Sequence, residues 1–169
     1  MCIETFVLHA VSETETKGVN TVMQHHTEAM HARLESLSRR TSLWTGRILV
    51  AEDNDGMLRL LTRHLRAEGH EVIGARNGLE LMHWIDEMAT TADPGLVVDL
   101  IVTDLRMPAY TGQQCLDELR HRGLGTPVIM ITAFGDKAVR DAALASGARA
   151  VFDKPLEFDD LLTAVRVLL

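Results

Sequence analysis

The sequence predicts a doubly wound α/β fold built on a five-stranded parallel sheet. Short, continuously apolar runs recur after residue 46, and each is followed by a segment with helical periodicity. Glycine and polar residues separate these segments. Continuously apolar strands are typical of parallel sheets, because the connecting helices cover both faces of the sheet.

The first strand–helix pair follows residue 46. RILVA (47–51) is predicted as a buried strand, and the next helix ends at Gly69, a typical C-terminal glycine. That helix carries three apolar residues on one face, namely Leu58, Leu61 and Leu65.

The second pair begins with EVIGA (71–75). Asn77 is the expected N-cap of its helix, and Glu80 stands three residues later, as in a capping box. The helix fades at TTADPG (90–95). Its apolar residues lie at helical spacing and are Leu81, Trp84, Ile85 and Met88.

Three further pairs complete the pattern. The remaining strands are predicted at DLIVT (99–103), PVIMIT (127–132) and AVF (150–152). The third helix follows a loop with Gly112 and stops near Gly123, and the fourth runs from a cap at Asp136 to Gly147. The third and last helices carry apolar residues at Cys115, Leu116, Leu119, Leu161, Leu162, Val165 and Leu168.

The chain divides into two parts. Residues 1–46 are polar and without a strand pattern, so they are predicted as a mostly flexible N-terminal extension of the domain at 47–169. An amphipathic pattern near residues 28–40 indicates one short helix, which is marginal in isolation. A later start, at Met23 or Met30, is an alternative that the sequence leaves open.

Composition and net charge limit the classes of function that the chain can have. The net charge of -7 over 169 residues argues against a general nucleic-acid or anionic-membrane binder, since either needs a basic face. The two cysteines, Cys2 and Cys115, have neither the spacing of a metal site nor the number that a disulfide framework needs. We therefore expect the protein to be located in the reducing cytoplasm. No signal peptide or run long enough for a membrane span is apparent.

Polar residues follow four of the predicted strands. They are Glu52, Asp53, Asp104, Thr132 and Lys154. Each alone is weak evidence of a site, because acids and hydroxyls after strands commonly cap the next helix. Together they indicate a site, because ligands in doubly wound sheets bind at the carboxyl ends of the strands.

This set of groups suits phosphoryl chemistry. Crowded carboxylates repel one another unless a cation lies among them, and oxygen ligands favour Mg²⁺, whereas zinc would need His or Cys. An ammonium and a hydroxyl can bind phosphoryl oxygens while a carboxylate attacks phosphorus. Asp104 is the expected nucleophile.

Four runs carry a family resemblance: RILVAEDN, LIVTDLRMP, VIMITAFGD and VFDKP. Over about residues 47–169 the chain resembles the receiver domain of two-component response regulators. The resemblance implies a flavodoxin-like (βα)5 fold with strand order 2-1-3-4-5. It also implies that a histidine kinase or histidine phosphotransfer protein donates a phosphoryl group, which switches the face formed by the fourth helix, fifth strand and last helix.

The resemblance also implies residue roles. Asp104 is the phosphoacceptor, and Thr132 and Lys154 act on the phosphoryl group. The implied Mg²⁺ ligands are Asp53, Asp104 and the backbone carbonyl of Arg106, with Glu52 acting through water. The bond between Lys154 and Pro155 is implied to be cis, which is rare for an X-Pro bond.

Two departures from the family pattern concern the acid pair and the switch residue. The acid pair is Glu-Asp rather than Asp-Asp, which keeps the charge, so we expect metal binding to survive. Val151 replaces the usual aromatic residue three positions before the lysine. Phe152 should face the opposite side of the sheet and is therefore no simple substitute.

Arg106 and Phe134 stand two positions after Asp104 and Thr132, where side chains flank the phosphoryl group. We predict that they slow its hydrolysis. Faster phosphate release from the native protein than from an Arg106→Ala, Phe134→Ala variant would contradict this.

Rival functions differ in plausibility. A haloacid dehalogenase-type phosphatase needs a second aspartate where Arg106 stands, and no glycine-rich nucleotide-binding motif is present. We therefore expect a signalling domain rather than a turnover enzyme. A phosphorylation-independent adaptor stays the main alternative. The chain stops at Leu169, after the last predicted helix, which leaves a stand-alone receiver and a fragment of a longer regulator both open.

The histidines show no metal-binding spacing. Four of them fall on or beside predicted helices and are expected at the surface, namely His64, His70, His83 and His121.

Overall fold

A computed structural model describes residues 45–91, 97–133 and 137–169. Residues 1–44 of the predicted extension at 1–46, with the predicted helix near residues 28–40, lie outside the described residues. Phe134 and Asp136 also lie outside them, so the hydrolysis prediction and the predicted cap of the fourth helix stay predictions.

Five parallel strands form one sheet in the order β2-β1-β3-β4-β5, which confirms the predicted topology. They are β1 (Arg47–Ala51), β2 (Glu71–Ala75), β3 (Leu100–Asp104), β4 (Val128–Thr132) and β5 (Ala150–Asp153). The predicted β3 was shifted by one residue, the predicted β4 began one residue too early, and the predicted β5 ended one residue too early. Just before β3, Asp99 N donates to Arg47 O at 2.9 Å and the Asp99 side chain accepts from Arg47 N at 2.7 Å.

Helices connect the strands and cover both faces of the sheet. They are α1 (Asp55–Ala67), α2 (Gly78–Thr90), α3 (Gly112–His121), α4 (Lys137–Ala145) and α5 (Phe158–Leu168). Buried residues of α1 and α5 form one core, and those of α2, α3 and α4 form the other. Neighbouring residues of β1 alternate between the two cores: Ile48 and Val50 face α1 and α5, whereas Leu49 faces the opposite helices. No helix within the described residues is long and apolar enough to cross a membrane.

The helix ends largely follow the sequence signals. The Asn77 side chain accepts a hydrogen bond from Glu80 N at 2.9 Å, which confirms the predicted cap of α2. The Glu80 carboxylate, however, accepts from Arg76 N at 2.8 Å instead of from Asn77 N, so the capping box is displaced by one residue. A reciprocal capping box occurs at α3, between Thr111 and Gln114.

His70 is buried, with 8% of its surface exposed, so its predicted surface position was wrong. Its Nδ1 accepts a hydrogen bond from Gly46 N at 3.3 Å. Helical periodicity gave no indication of this contact, because the chain turns at Gly69 (φ 97°) and leaves the helix before His70. Among the other three, His64 is half-buried and stacks on Phe158, while His83 and His121 are exposed as predicted.

Cys115 is a buried free thiol on α3. Burial raises its pKa to about 12, so the thiol stays protonated at neutral pH. Its role is packing in the core formed with α2 and α4.

Candidate functional site at the carboxyl ends of the strands

Strand register brings the predicted site residues to one edge of the sheet. Ala51 of β1 pairs with Thr103 of β3, so Glu52 and Asp104 follow at neighbouring positions. Asp104 pairs with Ile131 of β4, and Thr132 in turn pairs with Asp153 of β5, directly before Lys154. The strand ends therefore deliver these polar side chains to a single rim.

Three carboxylates cluster at this rim. Glu52, Asp53 and Asp104 each offer an oxygen, and these oxygens lie within 4.8 Å of one another. Glu52 and Asp104 are buried, with 1% and 6% of their surfaces exposed, whereas Asp53 is exposed. Two of the three negative charges are thus held away from solvent.

The Lys154 ammonium joins the two buried carboxylates. Its Nζ donates to both oxygens of Glu52, at 3.0 and 2.8 Å, and to Asp104 Oδ2 at 2.5 Å. The contact with Glu52 spans 102 positions of the chain. One ammonium therefore compensates part of the charge of three carboxylates.

Burial and these contacts shift two pKa values. Burial raises the pKa of Glu52 above its usual range, the nearby Asp104 raises it further, and the hydrogen bond from Lys154 opposes both. Burial alone would lower the pKa of Lys154, but its hydrogen bonds to Asp104 and Glu52 outweigh that effect and raise the pKa. Lys154 is therefore charged at neutral pH.

Backbone contacts fix the orientation of Asp104. Its Oδ1 accepts a hydrogen bond from Arg106 N at 2.9 Å, while Oδ2 faces Lys154. Leu105 N donates to Ile131 O at 2.8 Å, which continues the pairing with β4 past the end of β3. Both carboxylate oxygens thus have defined partners at the rim.

The loop after Asp104 packs too closely for side chains at two glycines. A Cβ on Gly112 would lie 2.4 Å from Asp104 O, and one on Gly78 would lie 1.8 Å from Tyr110 O. Pro108 O accepts from both Gly78 N and Tyr110 N, at 3.2 and 3.0 Å. The loop is therefore tied to the start of α2, whereas the sequence predicted only that a loop contains Gly112.

Ala109, in the same loop, has a φ of 68°, in the left-handed region that costs a residue with a Cβ. It lies between Pro108 O and Tyr110 N, which are 3.0 Å apart, as in a γ-turn. Its alanine side chain gave no sequence signal for this turn.

The rest of the rim matches the sequence expectations in position. Thr132 is fully buried at the end of β4, and its carbonyl accepts from Lys154 N at 2.7 Å. The bond between Lys154 and Pro155 is cis, as predicted. Val151 packs in the core of α2, α3 and α4 while Phe152 packs in the opposite core, which confirms their predicted facing.

The acidic cluster fits a hard divalent cation such as Mg²⁺. The cluster contains only carboxylates, and oxygen ligands are those that Mg²⁺ prefers, whereas zinc sites use His or Cys. Lys154 pairs with Glu52 and Asp104, and the exposed carboxylate of Asp53 has no ion pair among the described residues. The local excess of negative charge therefore favours a bound cation.

With this geometry in place, comparison with known proteins identifies the class. A model of the response regulator receiver domain matches residues 48–166, and the chain belongs to that family. It is accordingly a signalling domain of the two-component type rather than an enzyme that turns over an external substrate.

Individual relatives support the assignment. The chain is 37% identical to the response regulator protein PmrA of Pseudomonas aeruginosa over 125 residues, covering 72% of this chain and 52% of that protein. It is 35% identical to the transcriptional regulatory protein TcrA of Mycobacterium tuberculosis, covering 72% of this chain and 45% of that protein. The chain thus spans about half the length of these curated relatives.

A solved structure agrees with the fold. The receiver domain of Francisella response regulator 1452 aligns with a TM-score of 0.66 and 27% identity. The alignment covers 73% of this chain and 96% of that one.

Proposed function

We propose that this domain accepts a phosphoryl group on Asp104 in the presence of Mg²⁺ and thereby switches a protein-interaction surface. The observation that carries the proposal is the shared ammonium of Lys154, which holds Glu52 and Asp104 together beside Asp53 at one rim. Response regulators receive phosphoryl groups from histidine kinases or phosphotransfer proteins, and the family assignment supports the same donors here.

Each side chain has a role in this proposal. An Asp104 carboxylate oxygen forms the new bond to phosphorus as the bond from phosphorus to the donor histidine nitrogen breaks, and the released imidazole is protonated by solvent. Lys154 and the Thr132 hydroxyl bind oxygens of the transferred group. No water molecule needs activation, because the acceptor is already a carboxylate.

Mg²⁺ would be held by Asp53, Asp104 and the backbone carbonyl of Arg106, with Glu52 acting through water. Bound there, it supplies positive charge that stabilises the phosphoryl oxygens. The Glu52 carboxylate accepts from Asn54 N at 3.3 Å and from Lys154 Nζ at 2.8 Å, which fixes its orientation.

Phosphorylation would then alter the surface formed by α4, β5 and α5. Lys154 directly follows the end of β5, and its N–H is bonded to the carbonyl of Thr132, so the two proposed phosphoryl-binding residues connect the site to that surface. A downstream protein partner would read the change.

The test is intact-mass measurement after incubation with acetyl phosphate, with and without Mg²⁺. We expect the native chain to gain one phosphate only with Mg²⁺, and Asp104→Asn to gain none. Asp153→Asn is the matched control, because Asp153 ends β5 but is exposed and paired with Arg140. Absence of a gain in the native chain, with acetyl phosphate and with a phosphorylated histidine phosphotransfer protein, would instead support the phosphorylation-independent adaptor.

A further inference from the structure

A groove between α1 and β2 is lined by arginines. It has a volume of about 610 Å³, and none of the three rim carboxylates lines it. Its four guanidinium groups come from Arg59, Arg63, Arg66 and Arg76. Because the whole chain carries a net charge of -7, this concentration of positive charge runs against its overall composition.

Three of these arginines share one face of α1. At about 100° per residue, Arg59, Arg63 and Arg66 fall within an arc of about 60°. Arg59 and Arg63 are four residues apart, a spacing at which like charges destabilise a helix. Asp55, four residues before Arg59, offsets this repulsion only in part, since it also lies 3.5 Å from Arg76.

Partners within the domain do not neutralise the row. Arg66 donates to Val72 O at 2.8 Å, and Arg76 lies 3.5 Å from an Asp55 oxygen. Within the described ranges, the side chains of Arg59 and Arg63 have no hydrogen bond or ion pair. By contrast, four other arginines each pair with a carboxylate, namely Arg47, Arg122, Arg140 and Arg166.

The floor of the groove is apolar and lies beside the edge of the sheet. Leu58 and Gly74 line it between the charged side chains. β2 is the edge strand, next to which an extended segment can lie. The opposite flank of α1 is already occupied, since His64 stacks on Phe158 of α5 at a ring distance of 4.1 Å.

We propose that this groove binds an extended acidic segment of a partner protein, in which acidic and apolar residues alternate. Arg59 and Arg63 are separated by about 6 Å along the helix axis. Alternate residues of an extended chain are separated by about 6.7 Å and share a side, so successive carboxylates match successive guanidinium groups. The apolar residues between them would face the other side of the sheet, where Ile73 of β2 is partly buried.

Single-stranded nucleic acid fits the groove less well. Its bases bind by stacking on aromatic side chains, and none of the residues that the structure places around the groove is aromatic. The net charge of -7 also opposes a long polyanion.

The test is fluorescence anisotropy with a labelled nine-residue peptide of alternating glutamate and valine, with the glutamine–valine peptide as neutral control. We expect the acidic peptide to bind and added salt to weaken it. The double variant Arg59→Gln, Arg63→Gln should bind the acidic peptide at least about tenfold more weakly than the native chain. Arg149→Gln is the matched control for Arg59→Gln, because Arg149 is exposed and lies on β5's side of the sheet, outside the groove.

Two further measurements separate this proposal from others. The double variant should keep or slightly raise its melting temperature, because a like-charge pair is removed, and it should keep its Mg²⁺-dependent phosphorylation by acetyl phosphate, because Arg59 and Arg63 are exposed and outside the rim. Equal peptide binding by the native chain and the double variant would overturn the proposal. So would tighter binding of an oligonucleotide of equal charge, or a native dimer in sedimentation that the double variant loses.

Discussion

At the amino end of the sheet polar side chains accept hydrogen bonds from backbone N–H groups, whereas at the carboxyl end two buried carboxylates share one ammonium beside a third, exposed carboxylate. His70 accepts from Gly46 N, and Asp99 accepts from Arg47 N at 2.7 Å. At the other end Lys154 bridges Glu52 and Asp104. Both ends belong to the same strands, so the sheet itself does not impose the difference.

Polar side chains at the two ends of the sheet have different roles, one in stability and the other in function. At the amino end, polar side chains satisfy backbone N–H groups that the strand starts leave open, which stabilises the fold. At the carboxyl end, burial keeps carboxylates close together although they repel. A domain gains nothing in stability from such an excess of charge, and this is why the carboxyl end is the candidate site.

The largest expected difference in stability comes from adding one methyl group at each end of the sheet. Gly78→Ala would bring a Cβ to 1.8 Å from Tyr110 O, so the loop after Asp104 or the start of α2 has to move. We expect a loss of about 3 kcal/mol in the free energy of unfolding. At Gly125, before β4, an added Cβ meets no atom within 4 Å, and Gly125→Ala should change stability by at most about 0.5 kcal/mol. Urea unfolding of the two variants measures this difference, and equal effects would mean that the loop is not tightly packed.

A second contrast removes one cation from each end. Lys154→Met leaves Glu52 and Asp104 side by side and largely buried, and we expect a loss of about 2 kcal/mol, reduced because the Lys154 side chain is 23% exposed. Mg²⁺ should restore part of this stability, since a bound cation replaces the ammonium.

The matched change is Arg47→Met at the amino end. Arg47 pairs with Glu71, whose side chain is 61% exposed, and its buried Nε has no hydrogen-bond partner among the described residues. We expect a change of at most about 0.5 kcal/mol. Urea unfolding in EDTA and then in Mg²⁺ tests both variants, and a larger loss for Arg47→Met would reverse the comparison.

The smallest effect concerns the pH dependence of the amino end. Burial lowers the pKa of His70, Glu68 opposes that shift, and Arg166 adds to it. Because the folded-state pKa lies below the unfolded value of about 6.5, the unfolded chain binds the proton first. Stability should therefore be full above about pH 6.5 and should fall as the pH drops from there towards the folded-state pKa.

His70→Gln keeps a hydrogen-bond acceptor without a titratable group, so it should flatten this part of the profile. His121→Gln, at an exposed position, should leave it unchanged. Thermal unfolding between about pH 7.5 and 5 measures the slopes. Parallel profiles for the native chain and His70→Gln would show that His70 does not contribute.

The sequence predicted the strands and most of the polar residues of the rim. Buried parallel strands are continuously apolar, and a polar residue directly after an apolar run marks the end of each strand. Asp104 and Thr132 could be placed in this way. The contact between Lys154 and Glu52 could not be derived from the pattern, since it depends on how β1 and β5 are brought together through β3 and β4. The error at His70 has a similar origin: the residue follows a helix on which it would be exposed, but the turn at Gly69 carries it under Gly46.

Glu80 shows a smaller limit of the same kind. Its spacing from Asn77 identified the helix start correctly, yet the carboxylate bonds to Arg76 N, one residue earlier. Spacing along the chain fixes which groups are near, whereas the choice between adjacent N–H groups depends on the backbone angles at the cap.

The alternation of Val151 and Phe152 on β5 determines how movement spreads through the domain. The two side chains belong to separate cores on opposite faces of the sheet. A rotation of either side chain is absorbed within one layer of helices, and Val151, branched at Cβ, has little rotational freedom. A small translation of the β5 backbone, by contrast, would displace side chains in both helix layers at once. Movement of this strand would therefore change the packing of both cores.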